Sequence, residues 1–200
     1  MARPKTDTRE RLLDAAISVA AEHGISQLSL RQLAEHLDTS HRMLVFHFGS
    51  KDALLLEIVR AVEARQRAFI APPPADGGAP VAPRLDELWV RLRDPEMWPY
   101  ERLFFELYGQ ALQGREPAGR LLDGDVAAWV ETMAGLLVEI GVDDETARTD
   151  ARLALAVCRG LLLDLLATED ADRVDAAMQR FGAFLAAAHP GLRPAGPGSR

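Results

Sequence analysis

A single cysteine, Cys158, stands in 200 residues. It excludes a disulfide framework and any multi-thiolate zinc site, and it suits a reducing compartment. Lysine is nearly as scarce, occurring only at Lys5 and Lys51, so positive charge is almost all arginine. No stretch approaches the ~20 apolar residues of a membrane span. The best candidate, residues 153–167, is broken by Arg159 and Asp164. The start, MARPKTDTRERLLDAA, has no apolar run after its basic residues and does not read as a secretory signal. A cytoplasmic protein with no membrane partner is expected. Catalytic signatures are missing too: there is no Gly-x-Ser-x-Gly, no phosphate-binding glycine loop and no His-Glu-x-x-His. The five histidines lack metal-ligand spacing. No catalytic residues, no metal site and no cofactor are expected.

What is present describes an ordinary globular chain. With 48% hydrophobic and 26% charged residues, wholesale disorder is excluded. The length allows one or two domains. The net charge of −7 argues against a nucleic-acid binder, but its distribution weakens that argument. Residues 1–60 carry 8 basic and 8 acidic side chains and four of the five histidines, so the rest of the chain supplies the whole deficit. Positive density for phosphates is confined to the first third.

The periodic segments are rich in alanine and leucine and read as helix throughout, with no alternating strand pattern. Helices are predicted at about 7–23, ended by Gly24, and from Ser29, which has Gln32 three residues on as a capping box. A break at Asp38-Thr39 leads to Ser40 as N-cap of a short helix ending near Phe48, and Gly49-Ser50 caps a fourth over 51–69. Residues 71–83, APPPADGGAPVAP, read as a loop. Further helices are expected at 84–93, 100–113, 125–140, 144–167 and 171–188, then a disordered tail over 191–200. The fold class is therefore all-α: an N-terminal three-helix helix-turn-helix domain over 1–50, and a larger bundle of five to six helices over 51–190.

A helix of about eight residues, a break of about three and a second short helix is the helix-turn-helix arrangement. Two-helix corners are common, so spacing alone does not decide it. The residues Ala15-Ala16, Gly24, Ser29-Leu30-Arg31-Gln32-Leu33-Ala34, Leu37, Ser40, Leu44, His47-Phe48-Gly49-Ser50-Lys51 and Ala53-Leu54-Leu55 do more. In order, spacing and N-terminal position, residues 8–60 resemble the DNA-binding domain of the TetR family of transcriptional regulators. The resemblance implies a dimeric regulator, most often a repressor, that binds a palindromic double-stranded operator and is released by a small-molecule effector. The chain departs from the family pattern in four places. Asp38 replaces the usual turn glycine, Arg42 a small residue, Val45 a phosphate-contacting tyrosine, and Gly49 a proline. The operator sequence therefore cannot be borrowed from relatives.

Helical phase sorts the third helix. At about 100° per residue, Leu44 and Phe48 point one way and Arg42 and Phe46 the other, with His41 and Met43 flanking at the N-terminal end. Arg42 suits guanine O6/N7, and Phe46 or Met43 suits thymine methyls; a solvated Arg42 and a Phe46 packed beside the fourth helix is the plain alternative. The expected DNA-contacting set is Arg31, Ser40, His41, Arg42, Met43, Phe46, His47 and Lys51. For Arg31 the alternative is an exposed pair with Glu35, and His47 equally suits a satisfied structural role. Lys51, just after a helix cap, suits phosphate. Arg3 and Lys5 trail along DNA or do nothing specific.

In the second half, residues 153–166 are apolar nearly all round, which a surface helix would not be. Leu155, Leu162 and Leu166, with Met178, Phe181 and Leu185 of the last helix, are the expected homodimer contacts; packing within one chain is the alternative. Trp89, Trp98, Phe104, Phe105, Tyr108 and Trp129 are candidates for lining a pocket for an apolar, planar effector, although aromatics at helical spacing are usually core. Arg159 lies roughly 140° around its helix from Asp164, so it suits an anionic ligand or, more readily, an acid of a neighbouring helix. The reading from another class is a helical small-molecule carrier or enzyme whose N-terminal domain serves assembly.

Overall fold

The computed structural model describes residues 5–23, 28–71, 80–116, 118–121 and 124–192. Gly24, Arg3, Pro117, residues 72–79 and the tail over 193–200 lie outside the described residues, as does the side chain of Lys5. Among the described residues the chain forms α-helices and short 3-10 turns, with no strand. The helices are α1 (Lys5–His23), α2 (Leu30–His36), α3 (His41–Phe48), α4 (Lys51–Ile70), α5 (Val81–Leu92), α6 (Trp98–Leu112), α7 (Asp125–Glu139), α8 (Asp144–Thr168) and α9 (Ala171–Ala188).

Local chemistry sets several of these ends. Asp143 caps α8, its Oδ1 accepting the Thr146 N–H at 3.1 Å, and Asp170 Oδ1 does the same for Arg173 at 3.3 Å. Glu169 then takes the left-handed conformation, φ 58°, that closes α8.

Two boundaries differ from expectation for one reason. α5 starts at Val81 rather than at 84, and α6 at Trp98 rather than at 100, so Pro83 and Pro99 lie inside helices. Both prolines sit in a first turn, where the backbone N–H has no intrahelical acceptor and its loss costs nothing. Order also runs further at the end than expected. Pro190–Leu192 forms a 3-10 turn with Leu192 buried. His189 bonds to Asp150 Oδ2 at 2.7 Å, and a Cβ on Gly191 would lie 2.9 Å from Ile140 Cβ. Buried apolar surface and a buried polar contact hold what proline and glycine would otherwise leave loose.

The chain packs as two compact units. The first comprises Met1–Arg65 and Pro95–Asp125, the second Gln66–Asp94 and Val126–Arg200. In the first, Ala16, Leu33, Leu44, Leu54 and Ile58 of α1 to α4 share one core with Leu103, Phe104 and Leu107 of α6. The Tyr100 hydroxyl donates to the Ile17 carbonyl at 2.6 Å, tying α6 to α1. The second unit buries Ile70, Leu88, Leu136, Leu165 and Val174. Its Arg84 is 6% exposed and pairs with Glu139 at 2.5 Å, while Arg84 Nε and Nη1 are buried without an acceptor.

Candidate nucleic-acid interface

Three caps position the reading helix. Ser29 Oγ accepts from the Gln32 N–H at 3.3 Å and the Gln32 Oε1 accepts from the Ser29 N–H at 2.9 Å, the reciprocal capping box that opens α2. Ser40 Oγ accepts from the Met43 N–H at 3.2 Å and opens α3. Ser50 Oγ accepts from the Ala53 N–H at 3.1 Å and opens α4. Between the first two, Asp38 adopts φ 46°, the left-handed turn that glycine would otherwise supply. Thr39 N–H closes that turn on the Ala34 carbonyl at 2.9 Å.

The helical phase is as expected. Leu44 and Phe48 are buried, whereas His41, Arg42, Met43, Val45 and Phe46 are exposed, Phe46 at 61%. Met43, Val45 and Phe46 together leave apolar side chains exposed on the outward side of α3. Arg31 and Ser40 are exposed, and Lys51 is half-buried at the first residue of α4. His47 takes an intermediate position: its Nε2 is buried without a hydrogen-bond partner, and its ring meets Phe46 edge-on at 5.0 Å.

One positioning residue escaped sequence reasoning. Arg9 of α1 donates to both carboxylate oxygens of Glu57 on α4 at 2.5 Å, and its Nε reaches the His47 carbonyl at 3.4 Å. Its guanidinium lies 5.3 Å from the centre of the Phe48 ring. A rigid fork thus joins α1, the C-terminal end of α3 and α4 at once. Its partners lie 38 and 48 residues away, and no local spacing signals that.

Residues 12–58 match the model of bacterial regulatory proteins of the tetR family. This helix-turn-helix belongs to the TetR family. No curated protein sequence matches the chain. Solved structures of similar fold include a TetR-family transcriptional regulator from Streptomyces coelicolor, at 16% identity over 95% of this chain and 86% of that one, TM-score 0.68. Others are GusR of Salmonella enterica, at 24% identity over 88% and 93%, TM-score 0.62, and the multidrug binding protein EbrR complexed with imidazole, at 23% over 96% and 93%, TM-score 0.60. The TetR-like all-α fold, with its N-terminal helix-turn-helix and helical C-terminal part, therefore extends beyond the matched segment.

The residues expected to line an effector pocket are divided between the two units. Trp89 lines a cavity in the second unit; Phe104 is in the core of the first unit, with Phe105 and Tyr108 packed against it. Trp98, on α6, is also in the first unit. Trp129 is buried under the Arg67 guanidinium, 5.7 Å from its ring, and Arg159 is half-buried outside the cavity wall.

The expected dimer residues also fall into two sets. Leu155 and Leu162 are buried within the second unit and Leu166 is half-buried, while Met178, Phe181 and Leu185 line the cavity. The large apolar side chains left facing outward on α8 and α9 are Leu153, Leu163 and Phe184, each about half exposed. Among the described residues no group of His, Cys, Asp and Glu is arranged to hold a metal, and no helix is long and apolar enough to cross a membrane.

Proposed function

We propose that this protein is a one-component, homodimeric transcriptional regulator, a repressor that holds a near-palindromic operator and leaves it when a small molecule binds. The observation that carries the reading is α3 itself. Its inward face is a complete core stripe, and its outward face sets Arg42 beside an exposed Phe46 and Met43. Arg42 reads guanine in the major groove, Phe46 and Met43 touch thymine methyls, and Arg31, Ser40, His41, His47 and Lys51 hold the backbone. Residues 1–50 act as the reading head, and residues 51–190 sense and dimerise.

Dimerisation uses α8 and α9. Leu153, Ala156, Gly160, Leu163 and Ala167 are all exposed and recur at helical spacing on the face of α8 opposite Leu155 and Leu162. Two such stripes pack closely because the small residues let backbones approach. Phe184 on α9 extends the apolar surface. α4 runs unbroken from the first unit into the second, so an effector in the second unit acts on head spacing through it. Such coupling is worth about 1–3 kcal/mol, and operator must weaken effector binding by the same factor. EbrR, of similar fold, holds imidazole, which favours a ligand-responsive reading here.

Selection of bound duplexes from a random pool tests the proposal. A two-fold motif with half-sites about one helical turn or more apart is the expected outcome. Failure to enrich any motif overturns it in favour of a helical small-molecule carrier.

A further inference from the structure

The second unit holds a half-open cavity of about 620 Å³ lined by α5, α8 and α9, with Met133 of α7 and Leu192 of the terminal turn completing its wall. That volume falls within the range of drug-sized ligand sites, roughly 300–1,000 Å³. Its wall is soft and aromatic: Trp89, Met133, Cys158, Met178 and Phe181. Thioether and thiol sulfurs favour the edges of aromatic rings, and an indole offers a broad stacking face. Trp89 is held in place, because its Nε1 donates to Asp175 Oδ1 at 2.9 Å.

Charge narrows the class of occupant. The same Asp175 oxygen lies 3.5 Å from Arg93 Nε, so this acid and this base on the wall already face each other. The remaining charged wall residue is Asp86, which is exposed at the rim. An anion would enter against two carboxylates and displace Arg93 from its partner. An uncharged ring system would meet chiefly apolar atoms, sulfur and an indole face, with the neutral Gln179 amide as a further polar neighbour.

We infer that this cavity is the effector site of the regulator, and that it takes a neutral aromatic molecule and discriminates against anions. The inference rests on the proposed regulatory function and deepens it. It assigns Met178 and Phe181 to ligand contact instead of subunit contact.

Cys158 is the sole cysteine of the chain and lines the wall, so its reactivity reports occupancy directly. The probe is N-phenyl-1-naphthylamine, with 8-anilinonaphthalene-1-sulfonate as its anionic counterpart and the 200-residue chain as target. The neutral probe should slow alkylation of Cys158 by iodoacetamide about tenfold at saturation. The sulfonate should bind about tenfold more weakly or worse. Gly182→Phe places a ring in the cavity, since a Cβ there meets no heavy atom within 4 Å. It should abolish both binding and protection, and Ala186→Phe provides a second filling variant if the first does not fold.

Equal affinity for the two probes, or protection that survives both variants, overturns the inference. So does a cavity-filled protein that turns monomeric while wild type binds no probe, because a second copy then occupies the groove. Operator binding without probe is measured in parallel. Intact operator binding with no Cys158 protection sinks the cavity assignment alone, whereas protection without any selected operator sinks the regulator reading alone.

Discussion

At the scale of single residues, the proposed interface separates side chains that read from side chains that hold. Arg42→Ala should cost about 1–3 kcal/mol of operator affinity and relax preference at one base pair per half-site. Lys51→Ala should weaken binding to all duplexes about equally and lower the salt dependence, since phosphate carries no sequence information. Quantitative selection with each variant distinguishes the two; an unchanged motif with Arg42→Ala removes that residue from the reading set. Arg84 makes a different point. It occupies the stripe formed with Val81, Leu88 and Leu92, and its guanidinium is buried with one carboxylate partner and two orphan donors. A buried ion pair with unsatisfied donors contributes little net stability. Arg84→Met should therefore be neutral or stabilising in denaturant unfolding, whereas Glu139→Ala should cost about 1–3 kcal/mol by stranding the guanidinium. The reverse order would show that the pair contributes more than its geometry suggests.

At the scale of elements, helix ends respond to acid. The Thr146 backbone and side chain, hydrogen-bonded to Asp143, hold that carboxyl below its ordinary value of 3.8. A hydrogen bond from Arg148 holds Glu131 below 4.5, and Arg148 is raised in turn by Glu131 and Asp144. Depressed carboxyl values mean stabilisation that is complete above the ordinary values and lost as pH falls through them towards the folded ones. Asp143→Asn keeps a side-chain cap and so should change neutral stability little, while reducing the loss on acidification from pH 7 to about 3. Thermal unfolding at the two pH values measures it, and an acid loss equal to wild type would assign the effect elsewhere. The turn before α3 responds to sterics instead. Asp38→Gly should be tolerated or slightly stabilising, and Asp38→Val should cost about 1–2 kcal/mol, because only the former enters the left-handed region freely.

At the scale of the whole molecule, the proposed assembly depends on which apolar residues folding leaves outside. Leu163→Asp or Phe184→Asp should yield a folded monomer, with helical content and apparent monomer unfolding preserved. Leu162→Asp should unfold the chain, since that side chain is 4% exposed within its own unit. Light scattering with circular dichroism reads both. A dimer that persists in Leu163→Asp and Phe184→Asp together would move the interface off α8 and α9. Operator affinity should fall with the dimer, because a single head loses the advantage of two tethered half-sites.

Much of this was written locally. The capping box at Ser29 and Gln32, the caps at Ser40 and Ser50, the left-handed Asp38 and the phase that buries Leu44 and Phe48 all depend on residues within a turn or two of one another. Backbone hydrogen bonding and helical period operate over that range, so the sequence by itself determined the helix-turn-helix and its outward face. Tertiary structure decided what local spacing cannot encode. Arg9 finds Glu57 and His47 only when α1, α3 and α4 meet, and Tyr100 finds Ile17 across 83 residues. α8 is apolar nearly all round, so periodicity could not say which side faces inward; packing buried Leu155 and Leu162 and left Leu153 and Leu163 in water. The aromatics of α5, α6 and α7 look alike along the chain, yet α6 carries Phe104 into the core of the first unit while Trp89 turns to a cavity in the second. Hydrophobic burial is non-directional: it specifies that such side chains leave water, and only the assembled helices decide where they go.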